Sequence, residues 1–377
     1  MYPDGYYPRV EMPEKGAPPN VHPIQRRVLR ALGALSTPLL PDDYLEMINP
    51  LWSTRELRGR VVEIRHETEN AATVLIKPGY RWPGHKPGQY CRIGVDINGV
   101  RHWRAYSLTS DPYREDGLIS VTVKCVDAGK VSPFLVTHAE PGTIVGLGGV
   151  EGDFVLPDPP PAKLLFISAG SGVTPIMSMI RHLAHYDELR DAVLLHSARH
   201  TDDVIFGPEL RELSRRHEGF RLHEQLTREA GRMGPADLDR LCPDWRERET
   251  YLSGPSDMLE AFSEHWDRHG DCERLHMERF QPKLGLGDGE AGEGGVVSFL
   301  KSRAQAESDG TQPILVAGEE AGLELPYGCR EGICHTCVGE LRSGKVRDLR
   351  NGHVYGQEGE MVRTCISAPE GPVEIDL

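Results

Sequence analysis

Cys329-Arg-Glu-Gly-Ile-Cys334-His-Thr-Cys337 packs three cysteines into nine residues, and a fourth, Cys365, follows 28 positions later. Two irons need four thiolate ligands, and the spacing C-x4-C-x2-C…C is one that holds a [2Fe–2S] cluster. Gly328 and Gly332 stand where the backbone must wrap such a cluster and turn its amides toward the sulfurs. A structural zinc site would use the same atoms, but it usually opens on a tighter C-x2-4-C hairpin followed by a matching pair, and the second pair is missing. The cluster, with Cys329, Cys334, Cys337 and Cys365 as metal ligands, is the expected reading; zinc is the competing one.

The flanks extend the pattern. Leu325-Pro326-Tyr327-Gly328 before the loop and Arg363-Thr364-Cys365-Ile366 after it make residues 296–377 resemble the plant-type ferredoxin family, which implies an α+β, β-grasp domain. His335 departs from that family, which commonly has Gly there. Upstream, residues 283–295 hold six glycines and three acids without periodicity. That composition predicts a flexible tether, assigned to 282–295, which lets the cluster domain move between two partners.

A chain of 377 residues exceeds one ordinary core, so several domains are expected. The net charge of −14 excludes a nucleic-acid binder, because attraction to phosphate needs a basic face. Cys91, Cys125, Cys242 and Cys272 are scattered singly, which suits a reducing compartment. No apolar run approaches a membrane span and no signal peptide opens the chain, so a cytoplasmic location is expected.

Residues 162–281 alternate strand, loop and helix. Lys163 to Ile167 is an apolar run suited to a buried parallel strand, and it leads into Ser168-Ala-Gly170-Ser-Gly172-Val-Thr174-Pro175. Glycines there bring the backbone close to a pyrophosphate at a helix N-terminus, with Thr174 expected as N-cap and Pro175 as the first helical residue. Residues 55–157 instead carry short β-branched runs broken by turn residues, which predicts an antiparallel barrel. Within it, Arg104-Ala-Tyr106-Ser107 offers a cation for phosphate, a ring to stack and a hydroxyl to hydrogen-bond, a set that suits a flavin.

These two halves together resemble the ferredoxin–NADP reductase family. The echoes are Arg104-x-Tyr106-Ser107, Gly129-Lys-Val131-Ser132, the G-x-G-x-T-P loop, Leu194 to Arg199, Asp203 to Phe206 opening a helix, and Tyr251-Leu-Ser-Gly254-Pro255. The resemblance implies a flavin, FAD rather than FMN, lined by Arg104, Tyr106, Ser107, Gly129, Val131 and Ser132. It also implies an α/β, Rossmann-like nucleotide domain using Gly170, Gly172, Thr174, Pro175, Arg199, Gly254 and Pro255. Thr227, Arg228 and Arg232 are similar to the basic pattern of NADPH-using members, with NADH as the alternative. Glu278 and Phe280 fall at the junction where relatives place an aromatic residue against the flavin, and join Ser107 and Thr174 as catalytic candidates.

The N-terminal extension, residues 1–54, opens on a Pro/Tyr-rich arm over 1–22. Ile24, Val28, Leu32 and Leu35 then recur at helical spacing, with Pro38 and Pro41 expected to end that helix. Its stripe leaves packing on the protein or peripheral membrane contact as alternatives. The block from Leu39 to Trp52 resembles reductases that serve bacterial membrane fatty-acyl desaturases. The resemblances imply an oxidoreductase that passes electrons from NAD(P)H through FAD and the cluster to an acceptor protein, expected to be a desaturase. The reductase of a ring-hydroxylating oxygenase or cytochrome P450 is the alternative, and an iron–sulfur redox sensor the non-enzymatic one.

Overall fold

The computed structural model describes residues 41–126, 129–280, 292–323, 325–327, 332 and 335–377. The expected arm over 1–22, the helix over 24–35, most of the tether, and Cys329 and Cys334 lie outside the described residues. The chain divides into two compact units, residues 1–55 and 56–377. In the first, Pro41 opens a helix, α1 (Pro41–Ile48). Proline suits the first helical position because its φ is preset and its missing N–H would have no partner there. Asn49 then caps a short turn, its Oδ1 accepting from Leu51 N–H at 3.1 Å.

The second unit opens on six antiparallel strands: β1 (Arg58–Thr68), β2 (Ala71–Pro78), β3 (Tyr90–Ile97), β4 (Val100–Ser107), β5 (Ile119–Lys124) and β6 (Ile144–Glu151), in the order β4-β3-β6-β1-β2-β5. Leu108, just past β4, bridges Val121 of β5, so the two edges meet and the sheet closes into a barrel. Val61, Val74, Ile76, Ile93 and Val121 fill its interior. The β3–β4 hairpin turns on Asn98-Gly99, whose φ values of 52° and 79° are the left-handed pair that such a two-residue turn requires.

A parallel sheet follows: β7 (Leu164–Ala169), β8 (Ala192–Ala198), β9 (Phe220–Leu226), β10 (Glu249–Ser253) and β11 (Leu275–Glu278), in the order β11-β10-β7-β8-β9. Leu164 to Ile167 are each at most 2% exposed, as a strand covered on both faces demands. Helices α2 (Val173–His185), α3 (Gly207–Arg216) and α4 (Ser256–His269) connect and cover it. Two local expectations fail. Helix α2 starts at Val173, so Thr174 lies inside its first turn, where its hydroxyl donates to Ser171 O at 2.9 Å, and Pro175 is its third residue. The segment Asp203 to Phe206 does not open α3. Its Val204, Ile205 and Phe206 are buried as an anchor, Phe206 takes φ 62°, and the helix begins at Gly207.

The C-terminal sheet contains β12 (Gly295–Phe299), β13 (Ala304–Ser308), β14 (Val338–Asp348), β15 (Val354–Tyr355), β16 (Met361–Arg363) and β17 (Ser367–Asp376). Strand β12 runs parallel to β17 and antiparallel to β13, and helix α5 (Ile314–Glu320) buries Ile314, Leu315 and Ala317 in the same core. Cys337 immediately precedes β14 and Cys365 lies between β16 and β17, so the sheet itself holds both sulfur-bearing positions.

One contact joins fold to site. A Cβ on Gly172 would run into the Ser253 carbonyl and lie 2.9 Å from Gly254 Cα, so the loops after β7 and β10 touch backbone to backbone. Overpacking at such a point costs about 1–3 kcal/mol. Gly172→Ala is therefore expected to lower the free energy of unfolding by that amount, read as a drop in the urea midpoint at unchanged slope, and an unchanged midpoint would show that the two loops have room to part.

Candidate functional site

The strand order reverses between β7 and β10, and open α/β sheets bind ligands beyond the carboxyl ends of their strands at such a switch point. The fold brings there the loops bearing Gly170, Gly172 and Thr174 on one side and Gly254 and Pro255 on the other. Gly170 takes φ +54°, and nothing lies within 4 Å of where its Cβ would stand, leaving open space beside the backbone. Across the edge, Glu278, Ser253, Ser168 and His196 are successive register partners. Ser168 Oγ and His196 Nδ1 are 2.8 Å apart, and burial pushes the His196 imidazole down to about 4, so the ring stays neutral.

Two hydroxyls on this edge, Ser197 Oγ and Ser253 Oγ, are buried with no hydrogen-bond partner among the described residues. Buried polar atoms are rarely left so, and a bound nucleotide rich in donors and acceptors fits the vacancy in their bonding. Both serines fall inside stretches named from the sequence, Leu194 to Arg199 and Tyr251 to Pro255, without a role assigned to either. The signal was their position as the last or next-to-last residue of a strand entering the site.

Arg199 and Arg228 follow β8 and β9. Both are exposed, and Arg228 N–H donates to Arg199 O at 3.3 Å, so two cations share one corner with half-buried Thr227. Arg232 is exposed and ion-pairs with Asp257 in the first turn of α4, just beyond Gly254 and Pro255. Glu278 and Phe280 are half-buried at the end of β11. Burial, and then the nearby Asp153 charge, push the Glu278 carboxyl up to about 7. Tyr90 of β3 is a further neighbour; its phenol is raised chiefly by burial, then by Glu151.

In the barrel, Arg104, Tyr106 and Ser107 occupy the end of β4; Ser107 is buried, whereas Arg104 is half-exposed and donates to Trp103 O at 2.8 Å. The turn carrying Gly129, Val131 and Ser132 packs beside this strand. Ser132 Oγ accepts from Val126 N–H at 3.2 Å, and a Cβ on Gly129 would stand 2.9 Å from that hydroxyl, so a side chain there would have to displace it. A cation, a buried hydroxyl and a tight turn within one patch fit a flavin and its pyrophosphate. The Arg104 guanidinium also lies over the Tyr327 ring, 5.9 Å from its centroid, joining the barrel to the segment that enters the cysteine loop.

At the cysteine loop, Cys337 and Cys365 are buried, at 1% and 2% exposure. Gly332, at φ +70°, donates its N–H to Cys365 Sγ at 3.3 Å, while Ile366 fills the space a side chain would need. Arg363 donates to Gly332 O at 2.9 Å and Thr364 Oγ1 to Cys337 O at 2.8 Å, so the loop is laced to the strands on both sides. Buried sulfurs with an amide aimed at one of them fit an iron–sulfur cluster. His335 takes φ 56°, a left-handed conformation that glycine adopts without strain. Cys91, Cys125, Cys242 and Cys272 form no disulfide among the described residues, and no helix among those residues is long and apolar enough to cross a membrane.

Comparison with known proteins agrees with these three regions. Residues 68–156 match the family described as "Oxidoreductase FAD-binding domain", 166–264 "Oxidoreductase NAD-binding domain", and 299–370 "2Fe-2S iron-sulfur cluster binding domain". The chain is 45% identical over 359 residues to a protein of Mycobacterium tuberculosis named NADPH oxidoreductase, covering 94% of this chain and 93% of that one. It is 32% identical over 319 residues to the glycine betaine monooxygenase reductase subunit of Pseudomonas aeruginosa, covering 77% and 87% of the two chains. In fold it resembles phthalate dioxygenase reductase, at TM-score 0.56 and 19% identity over 85% of this chain and 97% of that one. The three domain types in this order, and an identity that spans nearly the whole of both chains, show that the chain belongs to the ferredoxin–NADP reductase family of flavin oxidoreductases, in the group with a C-terminal [2Fe–2S] domain.

Proposed function

We propose that this chain draws electrons from NADPH in preference to NADH and hands them singly to a separate oxygen-activating metalloprotein. That it is an electron-transfer reductase working from NAD(P)H through FAD to [2Fe–2S] follows from its family; the acceptor and the nucleotide preference are our reading. When bound, the flavin and cluster supply the conversion of nicotinamide's paired electrons into single ones. The chain's own residues bind and orient. Arg104 neutralises flavin phosphate, Ser107 hydrogen-bonds the ring from a buried position, and the Gly129–Ser132 turn receives the pyrophosphate. Gly170, Gly172 and Thr174, facing Gly254 and Pro255, admit the nucleotide, and Phe280 borders the nicotinamide position. The four cysteines ligate the cluster.

The Arg199–Arg228 corner favours NADPH, because two adjacent cations suit a ribose 2′-phosphate, whereas NAD sites tend to offer a carboxylate. For the acceptor, the block from Leu39 to Trp52 favours a membrane desaturase, while the relative named as a monooxygenase reductase subunit favours an oxygenase component. The observation that carries the serial reading is the contact of Arg104 with Tyr327, which links the flavin strand to the cysteine loop. Cys337→Ala is expected to remove the cluster's visible absorbance and to abolish reduction of one-electron protein acceptors. Bleaching of the flavin by NADPH and ferricyanide reduction should persist within about twofold. Loss of all these activities together would contradict the serial order.

Glu278 provides a pH test. Its carboxyl releases a proton near pH 4.5 when unfolded and near 7 when folded, so the folded state binds more protons between those values. Stability therefore falls as pH rises through this window, by up to about 3 kcal/mol, and is flat above it. Glu278→Gln should flatten that fall in urea unfolding of the holoprotein between pH 5 and 8. A parent and variant with parallel pH profiles would mean that Glu278 ionises freely.

A further inference from the structure

Two residues beyond Ser107, the chain enters a buried polar segment that bonds to both of its neighbours. Thr109 and Ser110 are fully buried and Asp111 nearly so. Toward the barrel, Thr109 N–H donates to Ser120 O at 2.8 Å, and Ser110 Oγ accepts from Ser120 N–H at 3.2 Å. Toward the nucleotide domain, the same three residues meet positions spaced three and four apart along one face of α2. Ser178 Oγ donates to Ser110 O at 2.7 Å, and Arg181 Nη1 donates to Thr109 O at 2.6 Å. His182 Nδ1 lies 3.2 Å from one Asp111 oxygen, and His185 Nδ1 2.7 Å from the other.

A carboxylate only accepts, so His182 presents an Nδ1–H to Asp111, while His185 stands beside the other oxygen outside hydrogen-bond geometry. His85, from the β2–β3 connection, adds a third clasp through Nε2, 3.2 Å from Ser110 O. Burial lowers its pKa, and a neutral ring facing a carbonyl carries its proton on Nε2. Arg181 is itself held by paired bonds to Glu209 of α3, at 2.8 and 2.6 Å.

The two sides of this contact carry the two halves of the site. On one side, Ser107 ends the flavin strand. On the other, Ser178 is four residues along α2 from Thr174, about 6 Å of helix. A rigid strand end and a rigid first turn transmit whatever spacing the contact imposes. We propose that Thr109–Asp111 and the Ser178–His185 face of α2 form a positioning latch that sets the nucleotide loop against the flavin strand, with Asp111 as its principal positioning residue.

Asp111 touches neither cofactor residue directly, so its effect is on alignment, where a displacement of about 1 Å costs up to about a hundredfold in rate. The inference rests on the roles proposed above for Ser107 and the Gly170–Thr174 loop. Anaerobic mixing of the holoprotein with NADPH tests it by separating the limiting rate of flavin bleaching from the nucleotide dissociation constant. Asp111→Ala is expected to lower the limiting rate about tenfold or more while the dissociation constant stays within about twofold. Asp111→Asn, which keeps one accepting oxygen, should fall between variant and parent. A limiting rate within about twofold of the parent, or equal losses in rate and affinity, would overturn the latch.

Hydrogen exchange gives a readout independent of turnover. In Asp111→Ala the amides of Leu108–Asp111 and of α2 should exchange faster together while those of β14 and β17 do not change. Unaltered exchange in both segments would overturn the latch. If the parent is bleached by neither NADPH nor NADH, the proposed function fails, and the exchange result alone decides the latch.

Discussion

Everything in the site depends on a place where two backbones touch without room for a side chain between them. Gly172, entering α2, meets the carbonyl of Ser253 at the end of β10, and this contact fixes the crevice where the parallel sheet changes direction. Strands buried on both faces end in that crevice, so the residues that leave them do so from rigid positions. Ser168, Ser197, Ser253 and Glu278 owe their common edge to strand register, not to proximity in sequence. The crevice has orphaned hydroxyls and open space beside Gly170, which is what a partly built binding site leaves for its ligand to complete.

Electrostatics divide the molecule by task. The chain is acidic overall at −14, and residues 296–377 carry 13 acids against 8 Lys or Arg, a net of −5. Against that background, cations are concentrated where phosphates are proposed to sit: Arg104 on β4, and Arg199 with Arg228 beyond β8 and β9. Arg232 ion-pairs with Asp257 at the start of α4. Glu278 shows the opposite arrangement, an acid kept substantially protonated at neutral pH by burial.

The parts most legible in the sequence were those where local chemistry is sufficient. Cysteine spacing announced a cluster, and apolar runs announced buried strands, because each depends on residues close along the chain. What required tertiary context was read less well. Thr174 looked like a cap, yet the contact of Gly172 with Ser253 begins the helix earlier. Val204, Ile205 and Phe206 looked like a helix start, yet the core takes them first. The Asp111 contact was invisible, since its partner His182 comes from a helix some seventy residues away, and His85 of the β2–β3 connection meets the neighbouring Ser110 carbonyl. At His335 the sequence shows a departure from glycine, and the left-handed backbone at that position supplies its physical meaning.

The central claim is that one polypeptide converts paired electrons into single ones through two prosthetic groups in series. Anaerobic titration of the purified holoprotein with NADPH, followed by visible absorbance, tests it most directly. Two electrons for the flavin and one for the cluster predict complete bleaching of both bands at about 1.5 equivalents per chain. A titration that ends with the flavin bleached and the cluster band intact, or that bleaches neither, would contradict the account.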